Sequence, residues 1–149
     1  MKVTLLLADH AEVAEGKLFI NGGGWTVTGP DPIPFGIAMY IEVPWDRANT
    51  KHTFQLELVD ADGQPVTVET AEGEQPITGS GEFEVTRPLG IKAGTPLPIP
   101  MALNFAPLPL PPGGRFEWRL SINGETDEDW RLSFSTRPRA PESMAAWNH

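Results

Sequence analysis

Residues 35–43, FGIAMYIEV, alternate large apolar side chains with small or polar ones. Successive side chains of a β-strand point to opposite faces, so a period of two predicts a strand with one buried face. Here the buried set is Phe35, Ile37, Met39, Ile41 and Val43. The stretch decides the fold class because no segment shows apolar spacing typical of a helix over three turns, apart from a weak case at residues 144–147.

The same alternation recurs beyond this stretch. It is found at residues 53–58, 82–86, 115–122 and 130–135, with turn-forming residues between the segments. Residues 3–8 carry apolar side chains on both faces, which predicts a strand covered on both sides. Eight or nine short strands, spaced by roughly ten residues, predict an all-β fold. We expect a single antiparallel β-sandwich of immunoglobulin-like character over residues 1–136, with little or no helix, and a C-terminal tail over residues 137–149.

Three consecutive glycines interrupt strand sequence at residues 20–27, INGGGWTV. A phosphate-binding loop would require a helix after the glycines, often with a Lys, and here the β-formers Trp25, Thr26 and Val27 follow. The context favours a bulge or a corner where the chain crosses between sheets, with Trp25 packing over the gap. A contact site, at which glycine lets a partner approach, is the alternative.

Prolines at positions 96, 98 and 100 lie on one side of an extended segment. Because proline has no N–H, these positions cannot donate backbone hydrogen bonds along one edge of the strand. The pattern predicts an edge strand that is protected against pairing with another chain. A polyproline ligand is the alternative, although a basic anchor at the expected spacing is missing.

Composition limits the partners and the compartment. The net charge of −9 argues against nucleic acid and anionic membranes, which both require clustered Lys and Arg. The absence of cysteine excludes disulfides and thiolate chemistry. The N-terminal apolar run stops at Asp9, too early for a secretory signal, so we expect a cytoplasmic protein.

The titratable residues suggest no reactive centre. His10 lies beside Asp9 and Glu12, but the other histidines, His52 and His149, are far away in the sequence, so no metal spacing is present. The turn DADG at residues 60–63 begins like a calcium loop, with its glycine two positions too early. We expect no metal, no cofactor and no enzymatic activity.

Aromatic and charged residues supply the candidate binding site. Trp45, with Asp46 beside it, follows a strand in a loop, where an aromatic side chain anchors an interface or caps the end of a sandwich. Arginines at positions 115, 119, 131, 137 and 139 balance an equal number of acids between residues 115 and 139, so the excess of acid lies elsewhere. Strand alternation places Arg115, Arg119, Arg131 and Arg137 on one outward face, which serves a partner or takes part in ordinary cross-strand ion pairs.

The segments MKVTLLLADHAEVAEGKLFINGGGWTVTG, IEVPWD and LVDADGQPV resemble a family of small, mostly actinobacterial proteins known as a domain of unknown function. The resemblance extends to about Thr136 and implies a cytoplasmic bacterial protein from phage-related gene neighbourhoods. Separately, residues 112–120, PGGRFEWRL, resemble the late strands of immunoglobulin-like and fibronectin-like sandwiches. Neither resemblance carries over a catalytic residue.

Three hypotheses about function result. The first is a non-enzymatic protein-binding or assembly module that binds a protein partner or forms a homo-oligomer, with Trp25, Trp45, Asp46, Arg115, Arg119 and Arg131 as candidate binding residues. The second is a small-ligand or carbohydrate-binding module that uses Trp25 and Trp45. The third is an enzyme that uses His10 with a carboxylate.

Overall fold

The computed structural model describes residues 1–140. Over this range the chain is all-β, as predicted, and its only helical element is a single 3₁₀ turn at Trp45–Arg47. The strands are β1 (Lys2–Ala14), β2 (Lys17–Gly23), β3 (Val27–Thr28), β4 (Phe35–Val43), β5 (His52–Asp60), β6 (Thr67–Thr70), β7 (Gly73–Pro76), β8 (Thr78–Phe83), β9 (Leu97–Phe105), β10 (Arg115–Ile122) and β11 (Glu125–Thr136). In this range no helix is long and apolar enough to cross a membrane.

The strands form three sheets. The first sheet has the order β2-β1-β4-β9, the second has the order β3-β11-β10-β5-β8, and a small sheet consists of β6 and β7. The expectation of eight or nine strands in one antiparallel sandwich is therefore met only in part. Residues 1–140 contain eleven strands, and β3 pairs with β11 in parallel.

The two large sheets enclose one hydrophobic core. The apolar residues of β4 are almost completely buried, as the alternation at residues 35–43 predicted. Trp118 of β10 is fully buried, and its ring contacts Phe35 and Phe105 of the first sheet at centroid distances of 6.3 Å and 5.0 Å. Aromatic rings from both sheets thus interlock, which fixes the two layers against each other.

The three glycines lie where the chain leaves the first sheet for the second. β2 ends at Gly23, and β3 begins at Val27. Gly22 and Gly24 have positive φ angles of 60° and 92°, a conformation that side chains disfavour. Trp25 follows the crossing and packs edge-on against Phe35 and Phe134, each at 6.1 Å. The glycines are a corner between sheets, as the sequence context indicated.

The predicted edge strand is also present. β9 lies at the edge of the first sheet and pairs only with β4 there, with Pro98 and Pro100 inside it. Asn104, near the end of β9, reaches over Gly36 to the backbone of Ala11. The β1–β2 hairpin beyond Ala8 therefore curls over the outer face of the first sheet instead of continuing in its plane.

Two local predictions are met only in part. The alternation at residues 53–58 and the turn at residues 60–63 predict a hairpin over residues 53–70. The turn and a short antiparallel contact are present, with a bridge between Val59 and Pro65 and a hydrogen bond from the N–H of Val66 to the carbonyl oxygen of Leu58 at 2.9 Å. Beyond this contact β5 pairs with β8 and β10, while β6 pairs with β7.

The sequence also predicts an acidic loop tip at residues 127–129. These residues belong to β11, since the turn from β10 is only Asn123 and Gly124, but the register with β10 shifts there, between the Arg119–Arg131 and Ser121–Thr126 pairs. The tail predicted at residues 137–149 lies mostly outside the described residues.

Candidate functional site

An open groove of about 560 Å³ runs over the outer face of the second sheet. We call it the Arg groove. Alternation along β10 and β11 turns Phe116, Trp118 and Phe134 into the core, so the residues between them face outward. Its lining consists of Thr26, Val27, Asp60, Ala61, Arg115, Phe116, Glu117, Arg119, Arg131, Ser133, Phe134 and Ser135.

The strand register brings three of the four predicted arginines together. Arg137 follows the end of β11 and lies outside the groove, where its Nη1 donates to the carbonyl oxygen of Gly29 at 3.1 Å. Arg119 lies directly opposite Arg131, and Arg115 lies opposite Ser135. Like charges placed opposite each other on neighbouring strands destabilise a sheet. The Arg119–Arg131 pair therefore places two positive charges side by side on this face, and any carboxylate close to them would be favourable.

One carboxylate inside the groove is already engaged. Glu117 Oε2 accepts a hydrogen bond from Nε of Arg119 at 2.7 Å, and Ser133 Oγ donates to Glu117 Oε1 at 3.3 Å. Glu117 thus neutralises Arg119. Among residues 1–140, no carboxylate oxygen lies within 4.0 Å of the side-chain nitrogens of Arg115 or Arg131.

The groups in this groove are of the kinds that can bind an anion. Arg115 and Arg131 are exposed, and the hydroxyl groups of Thr26, Ser133 and Ser135 line the same groove. A guanidinium group binds a carboxylate through two parallel hydrogen bonds, and hydroxyl groups can satisfy remaining acceptors. The groove can therefore hold more than one carboxylate at a time.

Trp25 lies outside the Arg groove although its neighbours Thr26 and Val27 line it. Its ring is half-buried between Phe35 and Phe134. The backbone of Thr26 accepts a hydrogen bond from the N–H of Ser135 at 2.9 Å. Packing of Trp25 therefore holds this short segment against β11 and shapes one wall of the groove.

Trp45 and Asp46 lie at a different place. They form part of the 3₁₀ turn and line a shallow depression together with Met1, Lys2 and Glu42. Nε and Nη2 of Arg87 both donate to the carbonyl oxygen of Trp45, at 3.0 Å and 2.7 Å, and the guanidinium carbon is 5.0 Å from the ring centroid. The fold does not bring Trp45 or Asp46 to the arginines.

Sequence reasoning missed some of these residues. Thr26 and Val27 reach the groove only because β3 pairs with β11, and the turn residue Asp60 because β5 pairs with β10. Arg87 lies in a loop and has no sequence signal that would connect it with Trp45. Among residues 1–140, no three His, Asp or Glu side chains are close enough to hold a metal ion.

Comparison with known protein families identifies the family of this chain. The sequence model of DUF6941, a family of unknown function, matches residues 3–135. The chain belongs to this family. The matched range includes the whole Arg groove and the corner at the three glycines. Comparison with curated proteins and with solved structures produced no match.

Proposed function

We propose that this protein is a non-enzymatic binding module that takes an acidic segment of a partner protein into the Arg groove. The observation that carries the proposal is the pair Arg115 and Arg131, two exposed arginines without a carboxylate neighbour among residues 1–140. The protein around them is strongly acidic, with a net charge of −9. Free guanidinium groups on such a surface attract an acidic chain to this one face.

The groove suits a peptide better than a nucleic acid. Glu117 and Asp60 also line it, and these carboxylates would repel a continuous phosphodiester backbone. A peptide places its acidic side chains at intervals, so it can engage Arg115 and Arg131 while the groove's own acids face its amides. Arginine clusters of this kind are a recurring solution for acidic-motif recognition.

A carbohydrate site that uses Trp25 and Trp45 together receives less support. Sugar binding requires an exposed ring face. The ring of Trp25 packs edge-on against two phenylalanines, and the guanidinium group of Arg87 lies over the ring of Trp45. The two tryptophans line different depressions. Enzymatic activity through His10, a cytoplasmic location, an actinobacterial or phage-related source and an immunoglobulin-like relationship stay predictions from the sequence.

The test is binding of a fluorescent acidic peptide to the full chain, measured by anisotropy. We expect binding of an Asp/Glu-rich peptide, no binding of its Asn/Gln counterpart, and weaker affinity as salt increases. Arg131→Gln and Arg115→Gln should each weaken binding about tenfold. Lys92→Gln removes a basic residue outside the groove and should leave affinity unchanged. Equal affinity of the wild type and both arginine variants would contradict the proposal.

A further inference from the structure

The described strands expose several sheet edges, and most of them are protected. β9 carries Pro98 and Pro100, and β3 has only two residues. The exposed positions of β8 hold Thr78, Ser80 and Glu82, while β6 and β7 carry glutamates. Proline, short length and polar or charged side chains are the usual protection of edge strands against further pairing. β2, at the other end of the first sheet, has only Lys17 and Asn21 of this kind.

β2 also carries exposed apolar side chains. Phe19 is 50% exposed and Ile20 is 38% exposed, and Val13 beside them on β1 is 43% exposed. A free edge that combines backbone donors with large apolar side chains is a template for another strand.

The geometry of the hairpin shows which backbone groups face outward. Glu15 and Gly16 have positive φ angles of 53° and 72°, which define the two-residue turn that joins Ala14 to Lys17. The residues flanking such a turn exchange both backbone hydrogen bonds, and the bonds then alternate along the pair. Leu18 and Ile20 therefore direct their N–H and C=O groups away from β1.

The contacts of Ala11 lead to the same conclusion independently. Ala11 is the partner of Ile20 in the register of β1 and β2. Its N–H donates to Oδ1 of Asn104 at 3.2 Å, and its C=O accepts from Nδ2 of Asn104 at 2.7 Å. Because both groups of Ala11 are used on the Asn104 side, Ile20 keeps its own groups for the free edge.

We propose that the free edge of β2 pairs antiparallel with β2 of a second copy of this chain, about a two-fold axis at Phe19. In this register Leu18 lies opposite Ile20 of the second copy, and the two such pairs form four backbone hydrogen bonds. The two Phe19 rings face each other at the close, non-hydrogen-bonded position. The contact extends the first sheet across both copies.

The side chains fit a second copy in this register. Lys17, the only charged residue of β2, lies opposite Asn21 of the second copy, so no like charges meet on the strands. A register centred on Ile20 would instead place Phe19 opposite Asn21 and Leu18 opposite Gly22, which separates the apolar residues. An isologous contact of this kind closes after two copies.

The proposal is independent of the Arg groove, and salt separates the two. Both copies are acidic, so screening of their repulsion should strengthen the edge dimer, whereas salt weakens binding of an acidic peptide. Sedimentation equilibrium of the full chain at increasing concentration should show a monomer–dimer equilibrium. Phe19→Lys, which places like charges on the axis, and Ile20→Pro, which removes an outward N–H, should each weaken the dimer by about tenfold or more.

Cross-linking tests the register directly, because the native chain has no cysteine. Phe19→Cys should form a disulfide-linked dimer under mild oxidation, since close opposed strand positions lie within the Cα separation that a disulfide spans. Tyr40→Cys, on the same sheet and 39% exposed, is the matched control and should cross-link much more slowly.

Hydrogen exchange of the wild type provides a test that does not depend on any variant. The amides of Leu18 and Ile20 should become more protected as protein concentration rises, while amides of β10 stay unchanged. A wild type that is monomeric at all concentrations would overturn the proposal. So would a dimer that is insensitive to Phe19→Lys and Ile20→Pro, or one that is broken only by Arg131→Gln.

Discussion

The side-chain amide of Asn123 donates a hydrogen bond to Nδ1 of His52 across 2.9 Å, although 71 residues separate them. His52 is buried, and its Nε2 lies 3.0 Å from the carbonyl oxygen of Arg47, so the ring donates there and accepts at Nδ1. Asn123 Oδ1 also accepts from the N–H of Thr53 at 3.0 Å. The turn between β10 and β11 is thus tied to the start of β5.

This network predicts a graded stability series at Asn123. Asn123→Ala removes both side-chain hydrogen bonds and keeps a side chain at φ 52°, so we expect a loss of about 2–3 kcal/mol in the free energy of unfolding. Asn123→Gly should recover about 1 kcal/mol of this, because glycine adopts positive φ without strain. Urea unfolding measures the series. Asn49→Gly, at a φ of 60° and outside the network, is the control. Equal stability of the Ala and Gly variants would contradict the strain argument.

The Asn104 clamp predicts a local loss of order at the β1–β2 hairpin. Asn104→Ala removes both hydrogen bonds to Ala11, so we expect about 1–2 kcal/mol of destabilisation. The amide of Ala11 should exchange faster with solvent, and this exchange is measured by NMR. Gln75→Ala removes an exposed amide side chain from β7 and should change neither quantity. Unchanged exchange at Ala11 would show that the clamp does not hold the hairpin.

Gly36 lies beneath that clamp and predicts a coupled effect. A Cβ at Gly36 would come within 2.5 Å of Oδ1 of Asn104 and 3.1 Å of the nitrogen of Ala11. Gly36→Ala should therefore destabilise the protein by about 1–3 kcal/mol through overpacking. In the Asn104→Ala background the same change should cost less, with a coupling energy of about 0.5 kcal/mol or more.

The matched control for Gly36 is Gly79→Ala. A Cβ there meets Leu103 and Phe105 only at 3.4 Å, which is ordinary contact, so we expect almost no change in stability. Chemical denaturation of the four proteins of the cycle provides the measurement. Strict additivity of Gly36→Ala and Asn104→Ala would mean that the two residues do not interfere.

Glu117 predicts the opposite effect to the arginine variants of the groove. Glu117→Gln releases Arg119 from its 2.7 Å ion pair and removes a negative charge from the lining. Affinity for an acidic peptide should rise about tenfold, because three guanidinium groups then face the ligand. Anisotropy titration measures the change, and Glu84→Gln, outside the groove, is the control. Weaker binding by Glu117→Gln would show that the ligand uses Glu117 itself.

Much of the fold could be predicted from alternation alone. The period of two at residues 35–43 and 115–122 identified β4 and β10 with their buried faces, because burial of one face leaves a direct pattern in the chain. The prolines identified β9 as an edge strand by the same local logic, since a missing N–H is a property of the residue itself. The outward orientation of Arg115, Arg119 and Arg131 could be predicted in the same way, because they alternate with the apolar residues of their strands.

Which strands become neighbours could not be predicted in this way. The sequence favoured a hairpin over residues 53–70; the structure keeps its turn and a short contact at Val59 and Pro65, but the long ladders of β5 are with β8 and β10. Pairing depends on which apolar faces meet across the core, and several arrangements bury the same residues. The placement of Trp45 beside Arg87, and of both away from the Arg groove, likewise depends on strand pairing and could not be predicted.

The sequence by itself determined the all-β class, the corner at the glycines, the protected edge and the shared face of three arginines, because each of these depends on residues close together in the chain. Only the tertiary structure decided that Arg131 lies opposite Arg119, that Asn104 clamps Ala11, and that β2 is left as an unprotected edge. Those relationships join residues up to 93 positions apart. They depend on the packing of whole sheets, which local spacing does not encode.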